Sequence, residues 1–114
     1  NLVVTLPNGA VLKSKKALET FVETIRFIGV EKVRALGLEF SKVPLVAERT
    51  TPRYASAQKF CDGFYIFTYN STEKKKEILE EIALRLGVLI QVKVVSDYSR
   101  SKEFPTLGLR DLFA

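Results

Sequence analysis

The sequence predicts an α+β domain with helices packed on one mixed sheet, and three observations carry that prediction. β-rich apolar segments stand near both ends, at residues 2–6 and 88–95. Two stretches between them space apolar residues for one buried helical face. Glycines sit where those helical patterns stop, and strands and helices fall in separate blocks rather than strict alternation. The order reads as an N-terminal β-hairpin, two helices, then strand(s), strand, helix and strand.

Leu2-Val3-Val4-Thr5-Leu6 is β-rich, Pro7-Asn8-Gly9 is a turn cluster, and Ala10-Val11-Leu12-Lys13 resumes the apolar run. Asn-Gly supplies the positive φ angles of a tight hairpin turn. Ser14 stands as the N-cap of the first helix. Leu18, Phe21, Val22, Ile25 and Ile28 then form one buried stripe, and Gly29 closes the helix in the left-handed conformation. Val30, Val33 and Leu36 mark a second, shorter helix stopped by Gly37. Short extended pieces follow around Leu38–Phe40 and Val43–Ala47, where Pro44 restricts the second to an edge strand or to a strand's first residues. Residues 49–60 lack periodicity and read as a long loop, and Cys61-Asp62-Gly63 as a turn.

Residues 63–69 are apolar on both faces, as in a central strand covered on both sides or packed at an interface. Asn70, Ser71 and Thr72 offer three possible caps, and Asn70 with Glu73 has capping-box spacing, at the start of a helix that runs to Leu86, with Ile78, Leu79, Ile82, Ala83 and Leu86 on one face. Gly87 ends it. Val88–Val95 alternates as a half-buried strand. If the strands flanking this last helix are parallel in one sheet, their crossover is right-handed.

Composition excludes most catalytic chemistry. The 114 residues include no His, no Met, no Trp and one Cys, with 46% hydrophobic and 27% charged side chains. No Ser-His-Asp triad, Cys-His pair or histidine-ligated metal can be built, and no intrachain disulfide. No cofactor fingerprint is present, and no apolar run reaches the roughly 20 residues of a membrane span. The expectation is a cytoplasmic domain without catalytic, cofactor or metal residues and without a membrane partner. The opening at Asn1, directly in an apolar run, reads as a domain of a larger protein. Residues 1–95 make one domain, and 96–114 a tail that docks or is partly disordered.

Two patterns imitate active sites. Asp62 followed by Glu73-Lys74-Lys75 has the residue order of metal-dependent nucleases, but a strand of about 17 Å separates the two carboxylates. Cys61 has Lys59 nearby, yet a cysteine in a turn beside an aromatic strand behaves as a small hydrophobe.

The charge of +5 is uneven. Arg49, Arg53 and Lys59 share a loop with Tyr54 and no acidic residue, which suits phosphates plus one stacked base. A solvated loop with Tyr54 folded back on the core explains the same residues more simply. Lys74, Lys75 and Lys76 fall in the first turn of a helix, where free amides and lysines together hold anions. A lysine-rich solvated face, relieved by pairs such as Lys76–Glu80, is the plainer reading there. Lys13, Lys15 and Lys16 make a third basic group before the first helix.

The segments 19–25, 28–33 and 70–77, with Pro44-Leu45-Val46 and Leu89–Val94, resemble a small α+β accessory module of uncharacterised bacterial proteins. The resemblance covers residues 2–95 and implies restriction, phage-defence or other nucleic-acid-handling contexts, with no assigned catalytic residue. The functional expectation is a non-catalytic accessory domain that binds nucleic acid through Lys74, Lys75, Lys76, Arg49, Arg53, Tyr54 and Lys59. The alternative is a protein-interaction or oligomerisation module. It would pair with another domain of the parent chain or a second copy, using Phe64–Phe67, the edge at Pro44 and the Leu107-Leu109-Leu112-Phe113 tail.

Overall fold

The structure, a computed structural model, describes residues 1–95. The expected tail, 96–114, lies outside the described residues. The chain is α+β, and its elements follow the order hairpin, two helices, strands, helix, strand. The hairpin is β1 (Leu2–Thr5) and β2 (Val11–Leu12), and the helices are α1 (Ala17–Ile28) and α2 (Val30–Ala35). Then come β3 (Glu39–Phe40), β4 (Val43–Pro44), β5 (Val46–Ala47), a 3₁₀ segment Pro52–Ala57, β6 (Gln58–Cys61) and β7 (Phe64–Phe67). Helix α3 (Thr72–Leu86) and β8 (Gln91–Val94) complete the described chain.

Among the described residues three small sheets stand in place of one mixed sheet, ordered β2-β1-β8, β3-β4 and β5-β7-β6, and every pairing there is antiparallel. The strands flanking α3 therefore lie in different sheets, and no parallel crossover forms. β8 returns instead to the first strand, with Leu2 opposite Val94 and Val4 opposite Val92. The Val95 N–H donates to the Asn1 carbonyl at 2.7 Å, and the Asn1 amino group donates back to Val95 O.

The first turn uses its residues differently from a two-residue hairpin. Gly9 N–H donates to Leu6 O at 2.9 Å, with Pro7 at the second turn position, and Leu6 N–H to Ala10 O at 2.8 Å. Only Gly9 takes a positive φ (88°), as the residue after a type I turn. Ser14 does not cap α1. Its N–H donates to Thr20 Oγ1 at 2.9 Å, and the helix begins after Lys16 without a side-chain cap. Thr20 and Thr24 share the buried face of α1, where the Thr24 hydroxyl donates to Thr20 O at 2.8 Å. Burial of such hydroxyls is tolerated because each has a partner.

Gly29 ends α1 and begins α2, with φ 121° and ψ 108°, outside the left-handed helical region but open to glycine alone. A β-carbon there would also press on the Lys32 side chain at 3.3 Å. Residues 43–47 form one extended run serving two sheets. Leu45 N–H donates to Leu38 O and Leu45 O accepts from Phe67 N, both at 2.8 Å. Pro44 lies on β4, at the edge of the β3-β4 pair.

Two expectations on either side of β7 are corrected. Residues 49–60 are not all loop, because β6 pairs with β7 through a two-residue turn at Asp62 (φ 50°) and Gly63 (φ 87°). Of the three candidate caps of α3, Ser71 is the one used, its hydroxyl accepting from Lys74 N at 3.0 Å, in place of an Asn70–Glu73 box.

The core joins Leu2, Val4 and Val92 of the terminal sheet to Phe21 and Ile25 of α1, Ile78, Leu79 and Ile82 of α3, and Val46 and Ile66 of the β5-β7-β6 sheet. Each fully buried side chain of this size contributes about 1.5–3 kcal/mol of transfer free energy. Among the described residues no helix is long and apolar enough to cross a membrane.

Candidate nucleic-acid interface

The β5-β7-β6 sheet places the functional candidates, because its register decides which face each side chain takes. Lys59 lies opposite Ile66 and Val46 opposite Ile66, so these three share the face turned to α1 and the core. Phe60 lies opposite Tyr65, and Gln58 opposite Phe67, so these four share the other face. Strand alternation carries Tyr69 to that same outer face.

The outer face is aromatic. Phe60 and Tyr65 meet edge to face with centroids 5.2 Å apart. Phe67 is buried, although it is not part of the central core, because Tyr54 and Tyr69 close over it. Tyr54 stands edge-on to Phe67 at 5.4 Å, and Tyr69 lies 5.8 Å from Tyr54 and 6.5 Å from Phe67. The 3₁₀ segment delivers Tyr54 to this position by kinking at that residue, whose φ −121° and ψ 20° leave the helical range. The segment is tied down at both ends. Thr51 N–H donates to Gln58 Oε1 at 2.7 Å, and Ala57 O accepts from both Thr68 N and Thr68 Oγ1. The outermost rings remain open, with Phe60 66% and Tyr69 68% exposed.

The seven candidates do not form one site. Arg53 and Tyr54 belong together, the guanidinium lying 5.6 Å from the ring centroid. Arg49 lines a shallow groove of about 570 Å³ with Arg34, Glu39 and Glu48, between α2 and the β4–β5 run. Lys59 joins Lys16 and Phe60 on a smaller groove of about 330 Å³ against α1. Among the described residues, none of Arg49, Arg53 and Lys59 makes a salt bridge.

The lysines of α3 are occupied. Lys74 pairs with Glu77 at 3.5 Å and lies over the Phe40 ring, and Lys76 pairs with Glu80 at 3.1 Å, the i,i+4 contact expected from sequence. Lys75 leaves the group altogether. It is 5% exposed, and its Nζ donates to Thr68 O at 3.0 Å and Asn70 O at 2.7 Å while lying over Phe21. Burial pushes its pKa below the ordinary lysine value. This ammonium caps the carbonyls at the end of β7 and is not offered to a phosphate.

The cysteine is not primed for chemistry. Burial first, and then the Asp62 carboxylate, push the Cys61 thiol up, away from the thiolate. Asp62 itself faces Arg26 at 3.8 Å.

Sequence reasoning missed Phe60, Tyr65 and Tyr69 as members of an exposed aromatic face. The signal was the Asp62-Gly63 pair, a two-residue hairpin turn that fixes Phe60 opposite Tyr65 once it is recognised. Comparison with protein-family models, with curated proteins and with solved structures finds no match to this chain.

Proposed function

We propose that this chain is a non-catalytic accessory domain that binds single-stranded nucleic acid on the outer face of the β5-β7-β6 sheet. The observation that carries the reading is the aromatic row, exposed Phe60 on half-buried Tyr65 and exposed Tyr69 on half-buried Tyr54, bordered by the Arg53 guanidinium, which makes no ion pair among the described residues. Bases released from a duplex stack on such rings, each worth about 1–3 kcal/mol, and any base has a face to offer. In this reading Arg53, beside Tyr54, meets the phosphate next to a base on that ring. Lys74 and Lys76 act only at long range, because Glu77 and Glu80 already neutralise them. The net charge of +5 accords with this reading. A cytoplasmic setting would give such a surface access to its ligand.

The test is fluorescence anisotropy with a labelled oligothymidine and with a duplex of equal length, at low and at moderate salt. Tighter binding of the single strand, weakening steeply with salt, is the expected result. Absence of binding at low salt, or equal affinity for the duplex, overturns the proposal.

A further inference from the structure

The β2-β1-β8 sheet carries an independent surface. Asn1 and Val95 exchange both of their backbone hydrogen bonds. Along an antiparallel ladder such pairs alternate with pairs that point their polar groups away from each other. With Val3 opposite Lys93 and Thr5 opposite Gln91, residues 91, 93 and 95 hydrogen-bond inward to β1. Val92 and Val94 therefore direct N–H and C=O outward, at an edge that no strand covers among the described residues.

That edge contains no proline and no bulge, and of the usual protections of an exposed strand it has one, the Lys93 side chain, which lies on the face away from the core. Apolar side chains surround it, with Leu84 79%, Leu89 84% and Val94 36% exposed. A groove of about 470 Å³ lined by Ala83, Leu84, Val88, Leu89 and Ile90 opens beside its first residue.

We propose that β8 pairs antiparallel with β8 of a second copy, joining two three-stranded sheets about a two-fold axis at Val92. Sequence self-complementarity selects this occupant. With Val92 opposite Val92 of the other copy, Ile90 faces Val94 on the core side, and both outward-directed residues find hydrogen-bonding partners. On the opposite side Leu89 faces Val95, and Gln91 faces Lys93, an amide oxygen against an ammonium. Of the two registers two residues away, one sets Lys93 against Lys93, a like-charge pair in the closest cross-strand position, and the other sets Lys93 against Leu89 and so gives up the amide–ammonium contact. Odd shifts place the core faces of the two copies on opposite sides of the sheet.

Sedimentation equilibrium of the full chain from micromolar to millimolar concentration tests this. The mass should rise from one chain to two. Val94→Pro removes an N–H that β1 does not use, and Leu89→Asp charges an exposed position. Each should raise the dimer dissociation constant by about tenfold or more. If Val94→Pro fails to fold, Leu89→Asp gives the answer alone. Amide exchange at Val92 and Val94 should slow as the dimer forms. A single-chain mass at every concentration overturns the proposal, as does a dimer indifferent to the substitutions. So does protection of these two amides in a monomer, which would mean that another segment or a different partner covers the edge.

Discussion

Two stretches of this chain carry three cations each, and they meet opposite fates. Lys74, Lys75 and Lys76 are consecutive, yet one is buried against carbonyls and two are held by glutamates one turn on. Arg49, Arg53 and Lys59 are scattered over eleven residues with no acid among them, and none is paired within the described chain. Helical geometry makes the difference. A turn of helix brings residues four apart into contact, so a lysine run followed by glutamates neutralises itself. Arg49, Arg53 and Lys59 lie before, within and after a short 3₁₀ segment, Lys59 already on β6, with no acid one helical turn away, and they remain available to a ligand. Local density of charge is thus a poor guide to available charge.

The contrast breaks most visibly at Lys75. Lys75→Met keeps the stem and removes the ammonium, leaving Asn70 O without its donor, while Thr68 O keeps the Asn70 N–H. Urea unfolding should show a loss of about 1–2 kcal/mol, the cost of the lost hydrogen bonds less the relief of a desolvated charge. A surface lysine would change stability by less than about 0.5 kcal/mol. The same residue predicts a pH dependence. Its folded-state pKa lies below the unfolded value near 10.5, so between the two the unfolded chain holds more protons. Stability of the wild type relative to Lys75→Met should therefore rise as pH climbs toward 10.5, and a constant gap would contradict the buried, charged lysine.

On the other side of the comparison, Tyr69→Ala should weaken single-strand binding by about tenfold, from the loss of one stacked base. Its unfolding midpoint should fall modestly, because most of the ring is exposed but its inner edge helps cover Phe67, which Tyr54 continues to shield. Arg53→Gln should lower the dependence of log affinity on log salt by about 0.7, one phosphate contact on a single strand. The smallest effect belongs to Lys76→Gln. It should leave affinity within about twofold and cost at most about 0.5 kcal/mol of stability, the worth of its exposed pair with Glu80. A large affinity loss for Lys76→Gln together with none for Arg53→Gln would reverse the assignment of the two stretches.

The sequence made legible whatever rests on local periodicity. The stripe of α1, the glycine stops at Gly29, Gly37 and Gly87, and the hairpin at Asn8-Gly9 all follow from residues within a turn or two of each other. Ser14 misled because its N–H bonds to Thr20, a choice set by the entry angle of the chain rather than by capping preference. β6 escaped notice because Gln58-Lys59-Phe60-Cys61 shows no alternation of apolar and polar residues. It is a strand through its pairing with β7. Lys75 could have been placed from helical spacing alone, since it falls three and four residues before Ile78 and Leu79 on the buried stripe. The division into three antiparallel sheets could not, because nothing local tells β8 to return to β1 rather than lie beside β7.

That return has a mechanical consequence. Because Asn1 and Val95 face each other across one ladder, a pull applied at these two residues loads the β1–β8 hydrogen bonds one pair at a time. Strands loaded lengthwise share the force among all their bonds and break together, whereas these peel. Stretched from residues 1 and 95, the domain should yield at low force by opening like a zipper, with β8 leaving first and exposing Leu2 and Val4 beneath it.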